Sequence, residues 1–121
     1  MSVYSVGVDL IEIERIDNLL KKYGDKFLKR IFTELEIDYC QKKKDKGSYA
    51  ARFAAKEAVF KVTGLGLAKG MTWKDVEVIN DERGKPGIRL YGKTADLLKN
   101  KKIHISLSHS KDASIAMVVA V

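Results

Sequence analysis

One cysteine in 121 residues is too few for an internal disulfide or for a multi-cysteine zinc site. That residue, Cys40, falls in a helix predicted from Thr33 to Lys44, where a partly buried structural thiol is expected and a reducing compartment is the natural setting. No run of about 18 apolar residues occurs, so no membrane span is expected. The N-terminus has no basic region followed by a long apolar stretch and a cleavage site. It reads as the mature start of a strand, and the protein as cytoplasmic. No repeat, linker or compositional break divides the chain, which leaves residues 1–121 as one domain. Aromatic residues are not interleaved with basic ones on any predicted strand, which counts against a stacking platform for nucleic acid.

What is present fits a soluble globular protein: 45% of residues are apolar and 32% charged. The formal net charge of +7 favours an anionic partner, whether nucleic acid, phosphorylated small molecule or acidic protein. Val3 to Ile11 reads as a strand, with Val6, Val8 and Leu10 on one face and Ser5, Gly7, Asp9 and Ile11 on the other. The second face is small around Asp9, leaving room for a helix or ligand. Helical spacing follows at Ile13, Ile16, Leu19, Leu20 and Tyr23, with Gly24 as C-terminal cap. A second helix starts near Thr33, with Glu36 at the capping-box position. Lys42 to Gly47 reads as a solvated turn. A long helix capped by Ser48 runs to about Val62, and a glycine-rich loop from Gly64 to Gly70 ends it. Strands are expected at Trp73 to Ile79 and Gly87 to Tyr91, a short helix at Thr94 to Lys99, and a closing hairpin of Ile103 to His109 with Ser114 to Val121. This layout is α+β.

The chemically informative segments are few. Asp9 is a lone carboxylate in an apolar strand, and it must be paired, coordinated or placed at the strand's exposed end. A strand-end cap and a metal ligand both fit. Glu57, in Arg52-Phe53-Ala54-Ala55-Lys56-Glu57-Ala58, reads either as an i,i+4 partner of Lys61 or as a second ligand. If the fold unites Asp9 and Glu57, they suit a hard divalent cation whose other positions go to water and phosphate oxygens. Lys56 and Lys61 read as solvating the helix face, with Lys61 alternatively beside the carboxylate. The glycine loop reads as a helix terminator or as backbone open to a phosphate; no Gly-Lys-Ser or Gly-Lys-Thr makes it a Walker loop. His109 occupies a position where Ile103, Ile105 and Leu107 predict an aliphatic residue. Flanked by Ser108 and Ser110, it reads as a phosphate grip or as a strand-end residue bonded locally. Arg15, Asn18 and Lys22 share a helix face, followed by Lys26, Lys29 and Arg30: a basic strip or ordinary solvation.

Three blocks resemble holo-acyl-carrier-protein synthase, the small type of 4'-phosphopantetheinyl transferase. They are Gly7 to Ile16, Arg52 to Ala58 continuing through Lys61 and Gly64, and Ile105 to Ser110. Phe27 to Thr33 with Glu36, and Gly84-Lys85-Pro86, add to the likeness, which spans nearly the whole chain. Leu65 and Ser110 depart from the threonines frequent at those positions. The resemblance implies an antiparallel sheet packed against a long central helix and shorter helices. It implies transfer of phosphopantetheine from coenzyme A to a serine of apo-acyl carrier protein, releasing adenosine 3',5'-bisphosphate. It further implies Asp9 and Glu57 as magnesium ligands, Glu57 and Lys61 as catalytic, and Lys61, Gly64, Ser108, His109 and Ser110 at coenzyme A. Arg15, Lys22 and Lys26 would face the acidic carrier protein, and the assembly would be a trimer with active sites between subunits.

Overall fold

A computed structural model describes residues 2–121. Strand β1 (Ser5–Glu12) leads into α1 (Ile13–Tyr23), α2 (Asp25–Ile31), α3 (Glu34–Lys43) and the long α4 (Gly47–Val62). A hairpin of β2 (Val76–Asn80) and β3 (Pro86–Leu90) follows, then α5 (Gly92–Leu97) and the closing hairpin of β4 (Ile103–His109) and β5 (Ala113–Ala120). The main sheet is antiparallel in the order β1-β5-β4, with Asp9 opposite Ala116 and His109 opposite Ser114. β2 and β3 form a separate two-stranded sheet, where one sheet was expected. The architecture is α+β, as the patterning indicates.

α4 is the axis of the molecule. Ala50, Ala51, Ala54, Ala55 and Ala58 are buried along it, and their small side chains let the sheet come close. Alanine is also the best helix former, so local preference and packing agree. Val59, Phe60 and Val62 add bulk, and Phe53 stacks on Trp73 with ring centroids 4.9 Å apart. The inner face of the sheet contributes Ile11, Ala116, Val118 and Ala120, and α1 contributes Ile13 and Ile16. Cys40 is buried beside this core, and its thiol is pushed up to about 12, mainly by burial.

Several expectations need correction. Ser48 does not cap α4; its backbone N–H and hydroxyl both donate to Asp45, at 2.8 Å each. Asp45 therefore holds the incoming turn from two residues before the helix begins. Trp73–Asp75 is a 3-10 turn, not strand, because Thr72 and Asp75 form a reciprocal capping box there. α2 falls where only a basic strip was read, and α5 starts two residues before Thr94. Lys56 does not solvate the helix: it is fully buried against Glu36. The Thr33–Glu36 capping box forms as expected, with Thr33 N–H donating to Glu36 at 2.9 Å.

The two faces of β1 behave in opposite ways. Gly7 and Ile11 turn inward and are buried, with Asp9 between them partly covered. Val6, Val8 and Leu10 turn outward and stay 53%, 50% and 64% exposed. Met117 and Ile115 lie opposite Val8 and Leu10 on β5 and are exposed too, so the outer sheet face is an apolar surface.

Candidate active site

Strand and helix approach tightly at Gly7. A Cβ there would lie 2.1 Å from the carbonyl oxygen of Ala58 and 3.1 Å from a methyl of Val62. Only a residue without a side chain lets β1 pack so near α4. Asp9 stands two residues along the same inner face, and Glu57 immediately precedes Ala58. The missing methyl thus brings the strand carboxylate and the helix carboxylate together.

Lys61 joins them. Its ammonium donates to Asp9 Oδ1 at 3.2 Å and to the Val8 carbonyl at 2.8 Å. The helical Glu57–Lys61 pair is not made; Lys61 reaches across to the strand instead. Burial and the neighbouring Asp9 raise the Glu57 carboxyl above the ordinary carboxylate range, while Lys61 and Arg15 oppose that shift. Four charges from β1, α1 and α4 therefore act on one another at one place. Lys61 is about half exposed and Asp9 mostly covered, so the cation is the mobile partner. Gly64, at φ +81°, sits just past the end of α4, its N–H donating to the Lys61 carbonyl at 3.0 Å.

Two carboxylates with only oxygen donors, and no nearby sulfur or imidazole, match a hard divalent cation. Among the described residues no group of three or more His, Cys, Asp or Glu side chains gathers as a metal cage. Magnesium rarely needs such a cage, since it keeps waters and takes phosphate oxygens, so the donor set fits it.

Arg15 and Lys22 line one groove between β1 and α1, together with Leu10, Asn18 and Leu19. Lys26 is exposed on the next helix, α2. His109 lies elsewhere: its ring is 3.6 Å from the point a Cβ on Gly47 would occupy, at the opposite end of α4 from Lys61. Glu57 and Lys61 come ten and fourteen residues after Gly47. At the α-helical rise those offsets are roughly 15 and 21 Å. One chain therefore carries two separate clusters. Ser110 uses its hydroxyl to accept the N–H groups of Asp112 and Ala113, closing the β4–β5 turn. Ser108 is exposed on the strand face opposite His109.

The cleft at His109, about 440 Å³, contains residues to which the sequence assigned no site role: Tyr39, Lys43, Arg52, Asn80 and Lys85. Arg52 is 3% exposed, donates to Asn80 Oδ1 and lies 4.1 Å from the Tyr39 ring centroid. Its Nε is buried with no hydrogen-bond partner. Lys43 belongs to the last turn of α3 rather than to a solvated loop. One sequence signal was available. Arg52 and Lys56 share a helix face in an alanine-rich stretch without a carboxylate four residues before either, so their partners had to come from elsewhere in the fold.

The α+β fold joins a strand aspartate to a helical glutamate and lysine, with a second cleft holding Lys43, Arg52 and Lys85 at the far end of the helix, an arrangement of charge suited to an anionic ligand. Residues 5–119 match the model of the 4'-phosphopantetheinyl transferase superfamily, and the chain belongs to that family. A holo-[acyl-carrier-protein] synthase of Geobacter metallireducens is 44% identical over 121 residues, covering 97% of this chain and 96% of the relative. The Bacillus anthracis holo-(acyl-carrier-protein) synthase in complex with CoA (3',5'-ADP) superposes with TM-score 0.82 at 38% identity, over 98% of this chain and 96% of that one. The Helicobacter pylori enzyme in complex with coenzyme A gives 0.87 at 31% identity, over 96% and 99%.

Proposed function

We propose that this chain transfers the 4'-phosphopantetheine group from coenzyme A to a serine of apo-acyl carrier protein, giving holo-carrier protein and adenosine 3',5'-bisphosphate. The observation that carries this reading is the meeting of Asp9, Glu57 and Lys61 across the Gly7–Ala58 contact. Asp9 and Glu57 would hold magnesium, which when bound supplies charge neutralisation at the pyrophosphate of coenzyme A.

The remaining work falls to the side chains. Lys61 is exposed enough to leave Asp9 for a phosphate oxygen, and there it stabilises charge gathering on the leaving bisphosphate. Glu57, at the same place as Asp9 and Lys61, stands where the proton of the attacking serine can be received, directly or through a water. The nucleophile arrives on the carrier, so this chain needs none of its own. Arg15 and Lys22, in a β1–α1 groove that also holds Glu12 and Glu14, with Lys26 beyond it, offer cationic contacts to an acidic carrier. Such complementarity mainly speeds encounter and weakens with salt.

The cleft of His109, Lys43 and Lys85, backed by the buried Arg52, suits the nucleotide end of coenzyme A. The two clusters sit at opposite ends of α4, and the outer sheet face is apolar and uncovered in one chain. A trimer that buries this face and joins one copy's carboxylates to a neighbour's His109 cleft accounts for both. The lone, buried cysteine suits work in the reducing cytoplasm.

The deciding experiment incubates the protein with coenzyme A, magnesium and apo-carrier protein and weighs the carrier. A gain of one phosphopantetheine group is expected. An unchanged carrier mass with folded protein would overturn the assignment.

A further inference from the structure

The fully buried charges are not the ones used above. Lys56 and Glu36 are each 0% exposed, and each makes three hydrogen bonds through its charged group. The Lys56 ammonium donates to Glu36 Oε1 at 2.7 Å and to the carbonyls of Trp73 and Val76. The Glu36 carboxylate also accepts the N–H groups of Thr33 and Val78, each at 2.9 Å. One ion pair thus ties the start of α3, the middle of α4, the 3-10 turn and β2 to a single point.

Stability alone is a poor reason for such a pair. Removing two charges from water costs several kcal/mol, and apolar replacements are often as stable. Burial pulls the Lys56 ammonium below its ordinary range, and Glu36 opposes that pull, so the two groups depend on each other. What lies around the pair suggests its use. Arg52 is one turn earlier on α4, Tyr39 is one turn after Glu36 on α3, and Asn80 ends β2. These three line the His109 cleft around the buried Arg52, yet they come from three elements whose mutual placement the pair fixes.

We infer that Lys56 and Glu36 are positioning residues for the coenzyme A cleft, holding α3 and β2 against α4 so that Arg52 stays stacked on Tyr39 and bonded to Asn80. This rests on the proposed binding of coenzyme A there. Neither residue touches the ligand; each acts through Arg52.

The test is the neutral pair variant E36Q/K56M, which leaves no buried charge unpaired and fills a similar volume. It is measured for melting temperature, KM for coenzyme A, KM for the carrier, and the NMR signal of the Arg52 Nε–H, assigned by its disappearance in R52K. The expected result is a folded protein with KM for coenzyme A raised about tenfold, which corresponds to about 1.4 kcal/mol. The carrier KM should be unchanged, and the Arg52 signal should move toward that of a solvated arginine. A second neutral pair, E36Q/K56Q, keeps amide groups for the Val78 N–H and for the Trp73 and Val76 carbonyls and should shift the same readouts; it decides the matter if the first variant does not fold. Wild-type KM values and an unmoved Arg52 signal would overturn the inference, as would equal rises in both KM values. If the wild type binds no coenzyme A, the functional reading falls alone, because the Arg52 signal still reports on positioning without ligand.

Discussion

Replacing Gly7 by alanine should harm stability and activity by different amounts, and both follow from one contact. The added methyl would sit 2.1 Å from the Ala58 carbonyl oxygen. Carbon–oxygen contacts settle near roughly 3.3–3.6 Å, so strand and helix must separate by about 1.2 Å. Backbone lies on both sides, and no rotamer change relieves the clash. Overpacking of this kind costs about 1–3 kcal/mol, and the rigid obstacle puts this case near the top. For a domain of this size that is a fall of about 10 °C in melting temperature, at about 4 °C per kcal/mol. The separation also falls between Asp9 and Glu57, and a misplacement of about 1 Å can cost about 100-fold in rate. Circular dichroism gives the melting point. Carrier modification, followed by mass at a temperature where the variant is fully folded, gives the rate. A Gly7→Ala protein that melts within about 2 °C of wild type and transfers at the wild-type rate would refute the contact and the convergence built on it.

Three further outcomes are expected. Glu57→Gln should abolish transfer yet melt higher than wild type at neutral pH without metal. The raised carboxyl contributes stability only while protonated, and that contribution is lost as pH rises through its folded value. The advantage should therefore shrink as pH falls toward about 4, and a lower melting point at neutral pH would contradict it. Val8→Asp puts a charge on the outer sheet face, and sedimentation should then show a monomer that no longer modifies the carrier; an intact trimer would remove that face from the assembly. Arg15→Glu should weaken carrier binding more than coenzyme A binding, measured by calorimetry, and equal losses would argue against the groove as docking face.

Much of this molecule was legible in residue order. The alternation of β1, the 3.6-residue stripe of α1, the Thr33–Glu36 capping box and the closing hairpin are local patterns, and each formed where its pattern stood. The pairing of Asp9 with Glu57 was open to conjecture because few carboxylates interrupt apolar segments. α2 went unread although Phe27, Leu28 and Ile31 have helical spacing, because seven residues give only one repeat of it; the 3-10 turn rests on a Thr-Asp cap with no periodicity at all.

Long-range contact settled the rest. That Lys56 would be buried and Lys61 would reach Asp9 depended on which face of α4 met α3 and which met β1. Both lysines look alike in a helical register, and only packing distinguishes a fully covered ammonium from a half-exposed one. The cleft of Arg52, Tyr39 and Asn80 draws on three elements far apart in the chain, so no local pattern announces it. The outward apolar row of β1 carries the same lesson: alternation shows that a strand has two faces, but the helix seated at Gly7 chooses which one is covered.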